Sequence, residues 1–132
     1  MTPTATGIVD RIDHFVLTVR DLDAACQFYA KVLGADIVPG TSGPTAAVFG
    51  QWKINLHLAG REFEPKAARP TSGSGDFCLI TTQTLDDVIR HLEGCGVRLE
   101  LGPVPRTGAL GPMKSIYFRD PDGNLVEIAR YD

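Results

Sequence analysis

Three side chains with the chemistry of metal ligands stand at matched places in this sequence: His14, His57 and Glu127. The match comes from an internal repeat. Asp13-His14-Phe15-Val16-Leu17-Thr18 aligns with Asp76-Phe77-Cys78-Leu79-Ile80-Thr81 at an offset of 63 residues. Each run leads into a segment that starts alike, Asp21-Leu22-Asp23 and Thr84-Leu85-Asp86, and the halves close alike, Ile54–Leu58 against Asn124–Ile128. This alignment pairs His14 with Phe77 in the opening strands and His57 with Glu127 in the closing strands. A duplicated module can turn equivalent positions toward one cavity, and imidazole and carboxylate together suit Ni, Zn, Fe, Co or Mn.

Each residue also has a plainer reading. His14 taken alone reads as a strand histidine bonded to a carbonyl. His57 shares a strand face with Lys53 and Asn55, which suits a cavity wall or solvent. Glu127 lies between Val126 and Ile128 and shares its face with Leu125 and Ala129, where an unpaired carboxylate is costly to bury. Arg106, Lys114 and Tyr117 gather around the long turn of the second half. They are candidates to bind a carboxylate or phosphate on a substrate, or simply solvated charges and a rim tyrosine. His91, beside Arg90 on a helix, reads as a surface residue.

The elements that position these residues follow from period and punctuation. Residues 10–20 alternate and carry β-formers, so they form a strand. Asp21 caps a helix to about Leu33, ended by Gly34. Short strands follow at 36–38, 45–49 and 53–58. Residues 59–75 have no period and hold Pro65, Pro70, Gly60, Gly73 and Gly75, the marks of a linker. The second half repeats the order: strand 77–81, helix 85–93 capped by Thr84, strand 97–100, a long turn at 102–112, then strands 115–119 and 125–129. Asp120-Pro121-Asp122-Gly123-Asn124 is a tight turn between the last two. The expected fold is α+β, two βαβββ modules forming a curved mixed sheet with helices outside. The single domain covers 8–132, with module one at 8–60, the linker at 61–74 and module two at 75–130.

Composition limits the function. With 132 residues, 43% hydrophobic, and a formal net charge of −3, the chain has no electrostatic case for nucleic acid or an anionic membrane. No run approaches a membrane span, and Met1–Gly7 lacks the pattern of a signal peptide. Cys26, Cys78 and Cys95 read as reduced, packed thiols, which fits a cytoplasmic protein.

Three segments carry a family resemblance: Ile12-Asp13-His14-Phe15-Val16-Leu17, then Phe28-Tyr29-Ala30-Lys31-Val32-Leu33-Gly34, then Tyr117-Phe118-Arg119-Asp120-Pro121-Asp122-Gly123-Asn124-Leu125-Val126-Glu127. Over residues 8–130 the chain resembles the vicinal-oxygen-chelate superfamily of glyoxalases, bleomycin-resistance proteins and extradiol dioxygenases, and within it the glyoxalase-domain-containing proteins. The resemblance implies one divalent metal held from the first and last strand of each module, here His14, His57 and Glu127. It also implies a small substrate bound through adjacent oxygens, glyoxalase-like lyase or isomerase chemistry through a metal-stabilised enediolate, Glu127 as the catalytic carboxylate, and a homodimer. Phe77 cannot ligate, which departs from the fourth ligand of glyoxalase-type sites and from the second histidine of extradiol dioxygenases. The alternatives are such a dioxygenase, or a protein that sequesters a drug or metabolite.

Overall fold

A computed structural model describes residues 7–132. Module one comprises β1 (His14–Val19), α1 (Leu22–Lys31), β2 (Asp36–Val38), β3 (Thr45–Phe49) and β4 (Trp52–Leu58). Module two comprises β5 (Asp76–Ile80), α2 (Leu85–Gly94), β6 (Leu101–Gly108), β7 (Gly111–Arg119) and β8 (Leu125–Tyr131). Each forms a four-stranded mixed sheet, in the orders β1-β4-β3-β2 and β5-β8-β7-β6. The fold class is therefore the expected α+β arrangement of two βαβββ modules.

The helices begin where local chemistry dictates. The Asp21 carboxylate accepts from the Ala24 amide at 3.0 Å, and the Thr84 hydroxyl accepts from Asp87 at 3.1 Å. Each cap satisfies an amide that the first helical turn leaves free. One face of each sheet packs on its helix. Leu17, Val19, Ile54 and Leu56 meet Ala25 and Tyr29 in the first core, and Ile116, Phe118, Val126 and Ile128 meet Val88 and Leu92 in the second. Helix α1 and the turn after it serve both, since Phe28 and Leu33 pack against either cluster.

A polar network also joins the modules. The Tyr29 hydroxyl donates to the buried Asp120 at 2.7 Å. Asp120 in turn accepts from the backbone amides of Asp122 and Asn124 and from the Asn124 amide group. Gly123, at φ +90°, completes this turn in a conformation that side chains disfavour. Burial, then the Asp120 charge, pushes the Tyr29 phenol far above its ordinary pKa, so it remains a donor.

One expectation is corrected. The stretch read as a strand at 97–100 and a turn at 102–112 is mostly the strand β6, running Leu101–Gly108. It lies at the sheet edge, where Pro103 and Pro105 cost no interior ladder bond. His91 is exposed, as expected, and its Nε2 lies 2.8 Å from the Val32 carbonyl, tying α2 to the end of α1.

Candidate functional site

The register of the two central strand pairs decides which side chains can meet. In module one His14 pairs with Lys53 and Val16 with Asn55. In module two Asp76 pairs with Leu125 and Cys78 with Glu127. Side chains alternate along a strand, so His14, Val16 and Thr18 share one face with Lys53, Asn55 and His57. Likewise Asp76, Cys78 and Ile80 share a face with Leu125, Glu127 and Ala129. These are the faces turned away from the helices.

The registers also give the true repeat equivalence. Asn55 lies two residues beyond the partner of His14, and Glu127 two residues beyond the partner of Asp76. β1 begins at His14 and β5 at Asp76 on the matching face, so the structural counterpart of His14 is Asp76, and that of Glu127 is Asn55. Phe77, which the sequence alignment set opposite His14, instead enters the core and packs on Phe15 with ring centroids 5.0 Å apart. A one-residue slip moves a strand residue to the other face.

His14, His57 and Glu127 do not converge within one chain. His57 pairs with Thr18, four residues along the sheet from His14. At roughly 3.3 Å per residue that is about 13 Å, too far for parallel side chains to share an ion. Among the described residues no three His, Cys, Asp or Glu side chains form a group able to hold a metal.

His14 is exposed, and its Nδ1 contacts the Asp13 carboxylate at 2.7 Å. That bond holds the Asp13 carboxyl below the usual range and leaves Nε2 free. His57 is buried and stacks edge-on against Phe63 at 5.5 Å. It lines a cavity of about 1160 Å³ between β1, β5 and the connecting segment, with Val16, Thr18, Trp52 and Phe77. The Asn55 Oδ1 is buried with no hydrogen-bond partner among the described residues.

Glu127 borders a second cavity of about 420 Å³, with Cys78, Ile80, Arg106, Met113, Tyr117 and Tyr131. Burial, then the Glu127 charge and its hydrogen bond, pushes the Cys78 thiol up to about 12. Cys78 is thus a neutral donor beside Glu127, not a thiolate nucleophile. Tyr117 pairs with Glu127 across β7 and β8, and its hydroxyl accepts from Arg106 Nε at 2.8 Å. Lys114 takes no part: alternation sets it on the face of Ile116 and Phe118, opposite Arg130 on β8. Sequence reasoning missed Asn55 and Asp76, whose only signal was strand parity.

Fold and motifs agree with comparison to known proteins. The model of the Glyoxalase/Bleomycin resistance protein/Dioxygenase superfamily matches residues 11–128. The chain belongs to that superfamily. It is 52% identical to virulence protein STM3117 of Salmonella typhimurium over 94% of this chain and 86% of that protein. It is 46% identical to the glyoxalase domain-containing protein RDO1 of Mycosarcoma maydis, over 93% of this chain and 69% of that one. The crystal structure of STM3117 superposes with a TM-score of 0.92 at 51% identity, covering 96% of this chain and all of the other. The superfamily's name spans glyoxalases, resistance proteins and dioxygenases, so membership alone leaves the reaction open. No helix among the described residues is long and apolar enough to cross a membrane.

Proposed function

We propose that the chain is a metal-dependent enzyme of glyoxalase-like lyase or isomerase type, active as a homodimer on a small substrate with two neighbouring oxygens. One divalent ion, Ni, Zn, Fe, Co or Mn, would be held by His14 of one copy together with Glu127 and Asp76 of the partner subunit. His57, placed beside His14 in the sequence expectation, lines the adjoining cavity instead.

The observation that carries this reading is the pair of open sheet faces. They bear complementary donors, His14 and the orphaned Asn55 Oδ1 on one, Asp76 and Glu127 on the other. They also expose aliphatic side chains: Val16 is 45% exposed and Ile80 is 55%. Among the described residues the edge strands β1 and β5 have no hydrogen-bonded strand on their outer sides. The donor set fits a borderline divalent ion, and Asp13 fixes the His14 ring as a supporting carboxylate does in metal sites.

When bound, the ion would supply Lewis acidity to two substrate oxygens and acidify the C–H between them. The chain's own residues do the rest. Cys78, kept protonated, stands beside Glu127 as its cross-strand partner and adds no charge to the site. Glu127 is the half-buried carboxylate on this face and the group placed to move a proton. Ile80 and Met113 keep that end of the site dry.

The test is solvent-deuterium incorporation by metal-loaded protein into hemithioacetals and 2-oxo compounds. Exchange that disappears in Glu127→Gln supports the proposal. Ring opening of catechols with oxygen uptake would favour a dioxygenase. Tight binding of a drug with neither activity would make the site a sequestering pocket.

A further inference from the structure

Resting on the site just proposed, we infer that its substrate carries a carboxylate at the end away from the reacting oxygens, and that Arg106 recognises it. A guanidinium has five N–H donors. Two of those on Arg106 are used internally, Nε to the Tyr117 hydroxyl at 2.8 Å and Nη1 to the Pro105 carbonyl at 2.9 Å. The other donors, including both on Nη2, have no partner among the described residues, and no carboxylate neutralises the charge. Arg119 grips Glu100 through two bonds of 3.0 Å and Arg20 reaches Asp122, whereas Arg61, Arg69, Arg98 and Arg130 form no ion pair among the described residues. What sets Arg106 apart is that it is oriented by Tyr117 at the rim of a cavity.

The head group is also held in place. The guanidinium carbon lies 5.4 Å from the Tyr117 ring centroid, close enough for the ring face to attract the cation. Tyr117 therefore fixes Arg106 on one side and stands beside Glu127 on the other. The cavity they share, at about 420 Å³, lies at the small end of the range of small-molecule pockets. Its other walls include Ile80, Ala109, Met113 and Tyr131, with Thr107 beside Arg106, so the middle of the ligand is mainly apolar. Repulsion from Glu127 sets the polarity, with the anion at Arg106 and uncharged oxygens toward Glu127. Because the whole chain carries −3, selection of an anion must come from this local cation and not from the overall field.

The test uses 4,5-dioxohexanoate, whose carboxylate is separated from its two neighbouring oxygens by two methylenes, its methyl ester and methylphosphonate as probes. Binding is measured calorimetrically to the dimer with its metal content counted by plasma mass spectrometry. In Arg106→Gln the affinity for the acid should fall about 10- to 100-fold, that for the ester should stay within about twofold, and metal content should not change. Arg106→Lys should recover part of the loss as a point charge. Methylphosphonate should bind more weakly than the acid; tighter, Arg106-dependent binding would replace the carboxylate by a phosphonate or phosphate and overturn the assignment. Equal loss for acid and ester, or no loss of acid binding, would also overturn it. Wild-type protein that takes up no added divalent metal yet still prefers acid to ester through Arg106 would uphold this inference while refuting the metal reading.

Discussion

The two modules share one architecture and one register but carry opposite chemistry on their open faces. Module one presents His14, Lys53, Asn55 and His57, which are neutral or basic. Module two presents Asp76 and Glu127 on its inner strands. Their outer strands differ too: β2 and β3 have three and five residues, whereas β6 and β7 have eight and nine. The longer hairpin of module two carries Arg106 and Tyr117, the groups suited to substrate. Duplication thus gave two equivalent frames, and divergence made one face the complement of the other. A complementary pair is what a two-fold dimer needs when each site takes one face from each copy.

The largest effect should come from cutting the link between the modules. Asp120→Ala removes a buried acceptor of four hydrogen bonds and orphans the Tyr29 hydroxyl. Urea unfolding should show a loss of about 3–4 kcal/mol, since each buried donor left unpaired costs roughly 1–3 kcal/mol. Tyr29→Phe should cost less, about 1–2 kcal/mol. Equal costs would mean that the turn around Gly123 holds without Asp120.

Next in size is metal content. His14→Ala and Glu127→Ala should each abolish stoichiometric metal in plasma mass spectrometry while circular dichroism stays native. His57→Ala should retain metal, because His57 lies about 13 Å along the sheet from His14. Loss of metal in His57→Ala would restore the grouping expected from the sequence and break the contrast drawn between the modules.

The smallest expected effect concerns Cys78. Its thiol pKa is raised to about 12, so the protonated form is favoured in the folded state. The stabilisation this gives is fully present below about pH 9, the ordinary range for a thiol, and is lost as pH rises toward 12. Burial is the larger cause and Glu127 the smaller. In metal-free protein Glu127→Gln should therefore speed iodoacetamide labelling of Cys78 at pH 8 without bringing it to the rate of a free thiol. An unchanged rate, measured by mass spectrometry, would separate Cys78 from Glu127.

Much of the fold was legible because its signals are local. Asp21 and Thr84 cap the two helices as their side chains require, and the apolar period of β1, β4 and β8 marked strands. The turn at 120–124 was readable from Pro121 and Gly123. β6 was not, since Gly102, Pro103, Pro105 and Gly108 imitate a turn unless the strand is known to lie at an edge. The site was half legible. His14 and Glu127 stand on the faces the proposal needs, but the identity of Asp13 with Asp76 set the repeat one residue out of structural register. That slip hid Asp76 behind Phe77. Asn55 and His57 share a face, so alternation alone could not choose between them; only the pairing of β1 with β4 does.

The central claim is that each site takes one face from each of two copies. Subunit exchange tests it most directly. His14→Ala and Glu127→Ala dimers, each unable to bind metal, are mixed in equal amounts, exchanged under mild urea and returned to buffer. Half of the dimers become hybrids, and each hybrid holds one site with both changes and one with neither, so metal content and deuterium exchange should recover to about a quarter of wild type. Continued absence of both after verified exchange would place His14 and Glu127 in separate roles and contradict the shared site.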